Sequence, residues 1–202
     1  MNKVILLDRD GVLVQDRIDY IQTREQIQVY PRSIKAVDML KDMGYTIFVI
    51  TNQSAVAKGI MTDEQVQEIN WSINVFYSHQ IEKFFYCPHH PNWFNGKDLK
   101  EFIRKYPDSY EILKEYEKQA QCDCRKPLPG LIHQAQSYMY FDTYNTFVVG
   151  DSLRDINAAK AADCKPVFVK TTLRNIKDVY FSGINALVYN DLLDFVEGEV
   201  VS

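Results

Sequence analysis

Acidic, hydroxyl and amide side chains stand directly after three short apolar runs of this chain. The residues at the ends of the runs are Asp8, Asp10, Thr51, Asn52 and Asp151. If the runs are parallel strands of one sheet, their carboxyl ends meet at a single edge, where ligands of such sheets bind. Several carboxylates in one small volume repel each other unless a hard cation neutralises them. Because Mg²⁺ prefers oxygen ligands, the residue types predict a Mg²⁺ site at this edge.

Two closely spaced pairs of sulfur and nitrogen ligands form a second candidate metal site. The pairs are Cys87-x-His89 and Cys122-x-Cys124. Three thiolates and one imidazole suit tetrahedral Zn²⁺, and four protein ligands leave no open position for a reacting water. The zinc is therefore predicted to be structural. His90 could take the place of His89, and a set of reduced core cysteines beside a surface histidine is the alternative without a metal.

Apolar runs alternate with amphipathic stretches along the chain, and this pattern predicts an α/β fold with a parallel sheet covered by helices on both faces. The runs predicted as strands are 4–7, 46–50, 84–86, 147–149, 167–169 and 186–189. The stretches predicted as helices begin near Pro31, Thr62, Pro129 and Leu153. The segment 87–124 breaks the pattern and is rich in aromatic residues, with one helix candidate near Asp108, so we interpret it as an insertion.

Length and composition predict one domain over residues 1–202, with the insertion at about 87–124. The 23 basic and 27 acidic residues give a net charge of −4, which does not favour nucleic acid or a membrane surface as a partner. The apolar runs are too short to cross a bilayer. The first residues do not form a signal peptide, so we expect a cytoplasmic protein whose four cysteines stay reduced.

Four motifs, in this order, resemble the haloacid dehalogenase (HAD) superfamily of phosphotransferases. They are Asp-Arg-Asp-Gly-Val at 8–12, Thr-Asn-Gln at 51–53, Arg-Lys-Pro at 125–127 and Gly-Asp-Ser-Leu-Arg-Asp at 150–155. The strings at 51–54, 87–91 and 122–127 are similar to the D-glycero-D-manno-heptose 1,7-bisphosphate phosphatase and histidinol phosphatase branch. The resemblance implies a three-layer Rossmann-like core without a large cap domain, a zinc-binding loop insertion, and a phosphatase acting on a small sugar or alcohol phosphate.

The same resemblance assigns roles to individual residues. Asp8 would attack phosphorus and form an aspartyl-phosphate, while Asp10 would protonate the leaving alkoxide and then activate water. Thr51 and Lys126 would offer a hydroxyl and an ammonium to the phosphate oxygens. Mg²⁺ would be held by Asp8, by the backbone carbonyl of Asp10 and by Asp151. The substrate contacts implied by the family pattern are Asp16, Tyr20, Asn52, Gln53 and Arg125.

The family pattern also favours His89 over His90 as the zinc ligand, and it implies a specific reaction. We expect a monomeric, Mg²⁺-dependent enzyme with a small phosphorylated sugar as its partner. It would remove the C7 phosphate of D-glycero-D-manno-heptose 1,7-bisphosphate, on the way to activated heptose for surface polysaccharide. Histidinol phosphate is the alternative substrate. A catalytically silent, zinc-stabilised module that only binds phosphate is the alternative from another functional class.

Three positions and one segment have open interpretations. Asp155 could orient Lys126 or a metal-bound water, or it could favour a helix N-terminus. Ser152 stands where some relatives carry Lys, and Arg32 stands where the family pattern has Gly, a change that could shift substrate preference. The segment 90–121 is interpreted as a small satellite core, with a partial lid or an oligomer contact as the alternatives.

Overall fold

The computed structural model describes residues 2–90, 122–171 and 186–201. The strands in these ranges are β1 (Val4–Leu7), β2 (Thr46–Asn52), β3 (Lys83–Cys87), β4 (Phe147–Gly150), β5 (Lys165–Val169) and β6 (Leu187–Tyr189). They form one sheet in the order β3-β2-β1-β4-β5-β6, and every neighbouring pair is parallel. The parallel sheet predicted from the apolar runs is confirmed.

Local sequence signals start the helices that cover the sheet. The helices are α1 (Pro31–Asp42), α2 (Asp63–Phe76), α3 (Gly130–Tyr138), α4 (Leu153–Ala161) and α5 (Leu192–Phe195). Pro31 opens the first turn of α1, where its missing N–H would have no helical partner. Thr62 and Gln65 form a capping box at the start of α2, and Ser152 and Asp155 form another at the start of α4. The predicted helix starts near Pro31 and Thr62 are confirmed.

Alternate residues of the central strands point to opposite faces of the sheet and build two separate cores. Ile5 and Leu7 of β1 belong to the core that includes residues of α1, α2 and α5. Leu6 belongs to the other core, with residues of α3 and α4. The sheet is therefore the middle layer between two layers of helices, which confirms the three-layer, Rossmann-like α/β fold.

The second strand extends beyond the apolar run that predicts it. The run 46–50 predicts an end at Ile50, but β2 continues because Thr51 and Asn52 pair with β3 in the ladder. Ladder hydrogen bonds are made by the backbone, so polar side chains do not interrupt them. The sheet thus holds the backbone of both polar residues rigidly at its carboxyl edge.

Arg32 connects α1 to the C-terminal part of the described chain. Its guanidinium lies 2.5 Å from Asp191 and 2.7 Å from Asp194, at the start of α5. Arg32, Asp191 and Asp194 do not line the polar cleft that is described in the next subsection. These ion pairs link α1 to α5, and the expectation that this position shifts substrate preference stays a prediction.

Part of the sequence interpretation lies outside the described residues. The helix candidate near Asp108 and the satellite core in the segment 90–121 fall there, apart from His90 at the edge of the described range. The extent of a single domain over 1–202 stays a prediction. No helix within the described ranges combines the length and apolar character needed to cross a membrane.

Candidate active site

Three neighbouring strands bring the polar strand ends together. β1 lies between β2 and β4, and Leu7 is in register with Val49 on one side and Val149 on the other. Asp8 follows Leu7 directly, and its backbone N–H donates to the carbonyl of Val149 at 2.8 Å. Asp151 follows β4 in the same way. The carboxyl edge of the sheet therefore places the acids at the two strand ends next to each other.

A cluster of three carboxylates forms at this edge. Oxygens of Asp8, Asp151 and Asp155 lie within 4.8 Å of one another. Burial raises the pKa of Asp8 well above its ordinary value, and the charges of Asp155 and Asp151 raise it further, against the opposing charge of Lys126. Gly11 has a φ of +83°, and a Cβ there would overlap the Asp151 carboxylate. An oxygen donor set with this much internal repulsion fits Mg²⁺.

Lys126 is the counter-charge of the acid cluster. Its side chain is only 2% exposed, and Nζ lies 2.9 Å from Asp8 Oδ1 and 2.5 Å from Asp155 Oδ1. Nζ also donates to the carbonyl of Ile50 at 2.8 Å. Burial by itself lowers the pKa of Lys126, but the charges of Asp155 and Asp8 raise it above its ordinary value. The ammonium is therefore charged and fixed beside Asp8.

Asp155 combines two of the roles left open by the sequence. One oxygen pairs with Lys126, and the other accepts from the N–H of Ser152 at 3.1 Å and from its Oγ at 2.6 Å. Burial by itself raises the pKa of Asp155, but Lys126 and the hydrogen bond from Ser152 lower it below its ordinary value. Asp155 thus orients Lys126 and also caps α4.

Arg9 is a site residue that sequence reasoning missed. It stands between Asp8 and Asp10, and its side chain is 2% exposed. Nη2 lies 3.0 Å from Asp10 Oδ2 and 2.9 Å from Gln53 Oε1, and Nη1 donates to Asn70 Oδ1 at 2.9 Å. The only signal in the sequence was an arginine flanked by two acids at the end of a buried strand, where a solvated charge is not expected.

The amides of Asn52 and Gln53 are used by protein partners. Asn52 donates to the Lys126 carbonyl and accepts from the Lys126 N–H, both at 3.0 Å. Gln53 Nε2 donates to Asp10 Oδ2 and to Thr51 Oγ1, both at 2.9 Å. Family resemblance assigned both amides to the substrate. In the structure they also line the cleft, and these bonds connect them to Lys126, Asp10 and Thr51.

A polar cleft of about 280 Å³ opens at this edge. Asp16, Tyr20 and Arg125 line it, as the resemblance implies, together with most but not all of the residues described so far. Tyr20 has a φ of +63°, a strained conformation for a residue other than glycine, and its hydroxyl lies 3.4 Å from Ser54 Oγ. This loop geometry brings the tyrosine hydroxyl back toward the end of β2.

Four further residues of the cleft were not identified from the sequence: Arg17, Lys58, His90 and Arg154. Arg17 and Lys58 lie in the segments that follow β1 and β2, and Arg154 lies in the first turn of α4, which follows β4. Lys58 Nζ lies 5.4 Å from the centre of the Tyr20 ring. With Arg125 they form a group of positive side chains around the acid cluster, which suits a ligand with more than one anionic group.

The cysteine and histidine pairs meet in space as predicted, and His89 supplies the nitrogen of the group. Cys87 Sγ lies 3.8 Å from Cys122 Sγ and 3.5 Å from His89 Nδ1, which is 3.3 Å from Cys124 Sγ. Sulfurs about 2.3 Å from a tetrahedral zinc are about 3.8 Å apart. Contact with Cys87 raises the pKa of the Cys124 thiol and burial raises it further, so deprotonation needs a nearby cation. These residues therefore fit Zn²⁺.

Sequence and structure comparisons identify relatives along nearly the whole chain. The HAD-hydrolase-like family model matches residues 123–195. The chain is 32% identical over 200 residues to the D-glycero-β-D-manno-heptose-1,7-bisphosphate 7-phosphatase of Haemophilus ducreyi, and the match covers 96% of both chains. It is 35% identical over 176 residues to the protein of the same name in Pasteurella multocida, which covers 85% of this chain and 83% of the relative.

A solved structure gives the same relationship. The D,D-heptose 1,7-bisphosphate phosphatase of B. bronchiseptica, complexed with magnesium and phosphate, matches this chain with a TM-score of 0.78. The two are 28% identical, and the match covers 98% of each chain. The similarity therefore extends over the core and the zinc-ligand segments together.

Proposed function

The chain belongs to the D-glycero-β-D-manno-heptose-1,7-bisphosphate 7-phosphatase family of HAD-like hydrolases, and from this premise we propose that it hydrolyses the C7 phosphate ester of that sugar. The chain is accordingly a phosphoric monoester hydrolase. The relatives carry the name of the heptose enzyme, which favours this substrate over histidinol phosphate. Their name also favours an enzyme over a silent phosphate-binding module.

One contact carries the proposal: Lys126 Nζ lies 2.9 Å from Asp8 Oδ1, buried beside two more acids. A module that only binds an anion gains nothing from a buried carboxylate at its centre, because the carboxylate repels the anion. A nucleophile, in contrast, must stand there. Lys126 offsets part of this repulsion as the phosphate approaches.

The reaction follows from the residues around Asp8. The Asp8 carboxylate attacks phosphorus, the bond from phosphorus to the sugar oxygen breaks, and Asp10 gives its proton to that oxygen. In the second half, Asp10 takes a proton from water, the water oxygen bonds to phosphorus, and the bond from phosphorus to Asp8 breaks. Inorganic phosphate leaves and both acids return to their starting states.

Positive charge and hydrogen-bond donors neutralise the transferring phosphoryl group. Lys126 supplies fixed charge, and Thr51 supplies a hydroxyl from the end of β2. Asp8, Asp151 and the Asp10 backbone carbonyl would hold Mg²⁺, which when bound draws negative charge away from the phosphoryl oxygens. Asp155 keeps Lys126 in place during both halves of the reaction.

The second phosphate of the substrate has a site of its own in this proposal. Arg125 and Arg154 line the same cleft, together with Arg17 and Lys58. An arginine fork binds a phosphate with two hydrogen bonds, where lysine acts as a point charge. Ser152 is the N-cap of α4, and Arg154 in the following turn supplies a cation close to the position where some relatives have lysine.

The cysteine and histidine group has a structural role in this proposal, because its four side chains would fill all four positions around a tetrahedral zinc. A reducing cytoplasm, which keeps the thiols available, remains the expected location. The monomeric state and the lack of a nucleic acid or membrane partner also remain predictions from the sequence.

The test is a parallel measurement of kcat/KM for D-glycero-β-D-manno-heptose 1,7-bisphosphate and histidinol phosphate on one Mg²⁺- and zinc-loaded preparation. We expect the heptose to be preferred by about 100-fold, because its second phosphate adds charge-assisted hydrogen bonds at the cationic rim. Equal kcat/KM values for the two esters, or a higher value for histidinol phosphate, would reject the heptose bisphosphate as the proposed substrate. If neither ester released phosphate, the proposed phosphatase activity would be rejected.

A further inference from the structure

Arg9 connects the two acids of the reaction through different atoms. Its backbone N–H donates to Asp8 Oδ1 at 2.7 Å, while its side chain reaches Asp10. Nε lies 3.2 Å from each Asp10 oxygen, and Nη2 lies 3.1 Å from Oδ1 and 3.0 Å from Oδ2. A planar fork against a planar carboxylate fixes both the position and the orientation of the acid.

The far side of the same guanidinium is fixed by the second helix. Nη1 donates to Asn70 Oδ1 of α2 at 2.9 Å, and both side chains are buried. Arg9 is therefore held on one side by a helix that packs on the sheet. Arg9, Asn70 and Gln53 are buried. The side chain of Asp10, which they contact directly or through Arg9, is 23% exposed.

Gln53 extends the arrangement to the end of β2. Its oxygen accepts from Arg9 Nη2 at 2.9 Å, and both of its amide hydrogens are used by Asp10 Oδ2 and Thr51 Oγ1. Because Thr51 Oγ1 accepts this bond, its own hydrogen can be donated elsewhere. Thr51 lines the cleft, so that hydrogen is available to a phosphoryl oxygen.

We propose that Arg9 and Gln53 are positioning residues that orient Asp10 toward the leaving oxygen and Thr51 toward the phosphoryl oxygen. The inference rests on the proposed phosphatase function, in which Asp10 transfers the proton. Neither residue needs to touch the substrate. Their effect is geometric: Asp10 keeps one orientation between the two halves of the reaction, and a shift of about 1 Å costs on the order of 100-fold in rate.

The test compares leaving groups, because a poor leaving group needs a proton from Asp10 and a good one needs little help. Arg9→Lys keeps a charge but loses the planar fork, and Gln53→Met keeps the shape but loses the amide. For each variant, kcat/KM is measured on a series of substituted phenyl phosphates and on an alkyl phosphate. This constant reports the steps up to release of the alcohol.

We expect Arg9→Lys to lose about 100-fold on the alkyl phosphate and about threefold or less on 4-nitrophenyl phosphate. The dependence of kcat/KM on leaving-group acidity should become steeper, and Gln53→Met should change it in the same direction. An equal loss on every ester, or no loss on the alkyl phosphate, would overturn the inference. If Arg9→Lys does not fold, the inference is tested by the leaving-group dependence of kcat/KM in Gln53→Met alone.

Tyr77→Phe is the matched control for a purely structural loss. Tyr77 is buried, its hydroxyl donates to the carbonyl of Leu13 at 2.6 Å, and it is not among the residues that line the cleft. Its removal should lower the thermal midpoint without changing the leaving-group dependence. The phenyl series needs no heptose, so a failure of the proposed substrate with active ester hydrolysis leaves the positioning test intact and distinguishable.

Discussion

Arg125 donates a hydrogen bond of 2.7 Å from Nη1 to the backbone carbonyl of His89. His89 is a ligand of the candidate zinc cluster, and Arg125 lines the cleft. Cys124, another ligand, directly precedes Arg125 in the chain. Arg125, a cation of the cleft, is thus connected to the cluster twice: through the peptide bond to Cys124 and through its side-chain hydrogen bond to His89.

Removal of zinc should therefore lower activity without a change at Asp8. We expect chelation, or Cys124→Ser, to reduce kcat/KM by about 10- to 100-fold, the range typical for the loss of groups that orient a site. Zinc content and phosphate release are measured on the same sample. Cys164→Ser is the control, because Cys164 is buried outside the cluster and should leave both values unchanged. Full activity after complete zinc removal would contradict the link.

Asp8→Asn should abolish the reaction. The amide has nearly the shape of the carboxylate but is a much weaker nucleophile, so we expect phosphate release to fall by about 10⁴-fold or more. Circular dichroism and zinc content should match the unaltered protein. Substantial residual turnover in this variant would reject the aspartyl-phosphate route.

Asp155→Asn should weaken both catalysis and stability. Lys126 loses one of its two carboxylate partners in a buried setting, and breaking such a pair costs about 3 kcal/mol in the free energy of unfolding. We expect a lower thermal midpoint and a reduction of kcat by about 10-fold or more, because the ammonium is no longer fixed. Asp163→Asn, at an exposed position after the same helix, should change neither quantity. An unchanged kcat in Asp155→Asn would show that Lys126 is oriented without it.

Arg154→Glu should impair binding of a bisphosphate selectively. Arg154 is exposed in the first turn of α4 and lines the cleft. Burial lowers the pKa of Arg125, and the nearby charge of Arg154 lowers it further, so an anion between them would relieve the repulsion. We expect KM to rise about 10-fold for the heptose bisphosphate and to stay unchanged for the 7-monophosphate. Lys160→Glu, exposed on the same helix, is the control. A similar rise for both esters would contradict a second-phosphate contact.

Arg32→Ala should lower stability in a way that depends on pH. Burial by itself raises the pKa of Asp191, but Arg32 and backbone N–H donors lower it below its ordinary value. A carboxyl with a lowered folded-state pKa contributes stability above its unfolded-state pKa, and that contribution is lost as the pH falls through the folded-state value. The difference in thermal midpoint between Arg32→Ala and the unaltered protein should thus be present near neutral pH and vanish in acid. Lys41→Ala, exposed near the end of α1, should show no such pH dependence. If the difference in thermal midpoint persisted at acidic pH, the loss of stability would come from packing of the Arg32 side chain and not from its ion pair with Asp191.

The order of apolar and polar residues along the chain predicts which segments become strands and which polar residues follow them. Short apolar runs such as 4–7 and 147–149 report burial on both faces, and a polar residue directly after a run marks the point where the chain reaches the open edge. The pairs Cys87-x-His89 and Cys122-x-Cys124 likewise predict a metal cluster, because the one-residue spacing within each pair is visible in the sequence. These features are all set by neighbours in the chain.

The partners of the charged side chains, in contrast, depend on how distant elements pack together. Arg9 could not be assigned from its neighbours, because Asn70 and Gln53 come from other elements. Spacing left His89 and His90 open and the family pattern favoured His89, which the structure groups with the three cysteines. The joint contacts of Asp155 likewise depend on packing, because Lys126 comes from a distant part of the chain. The pattern of apolar and polar residues along the chain indicates how deeply a residue is buried. The partner of a buried charge depends instead on which distant elements pack beside it.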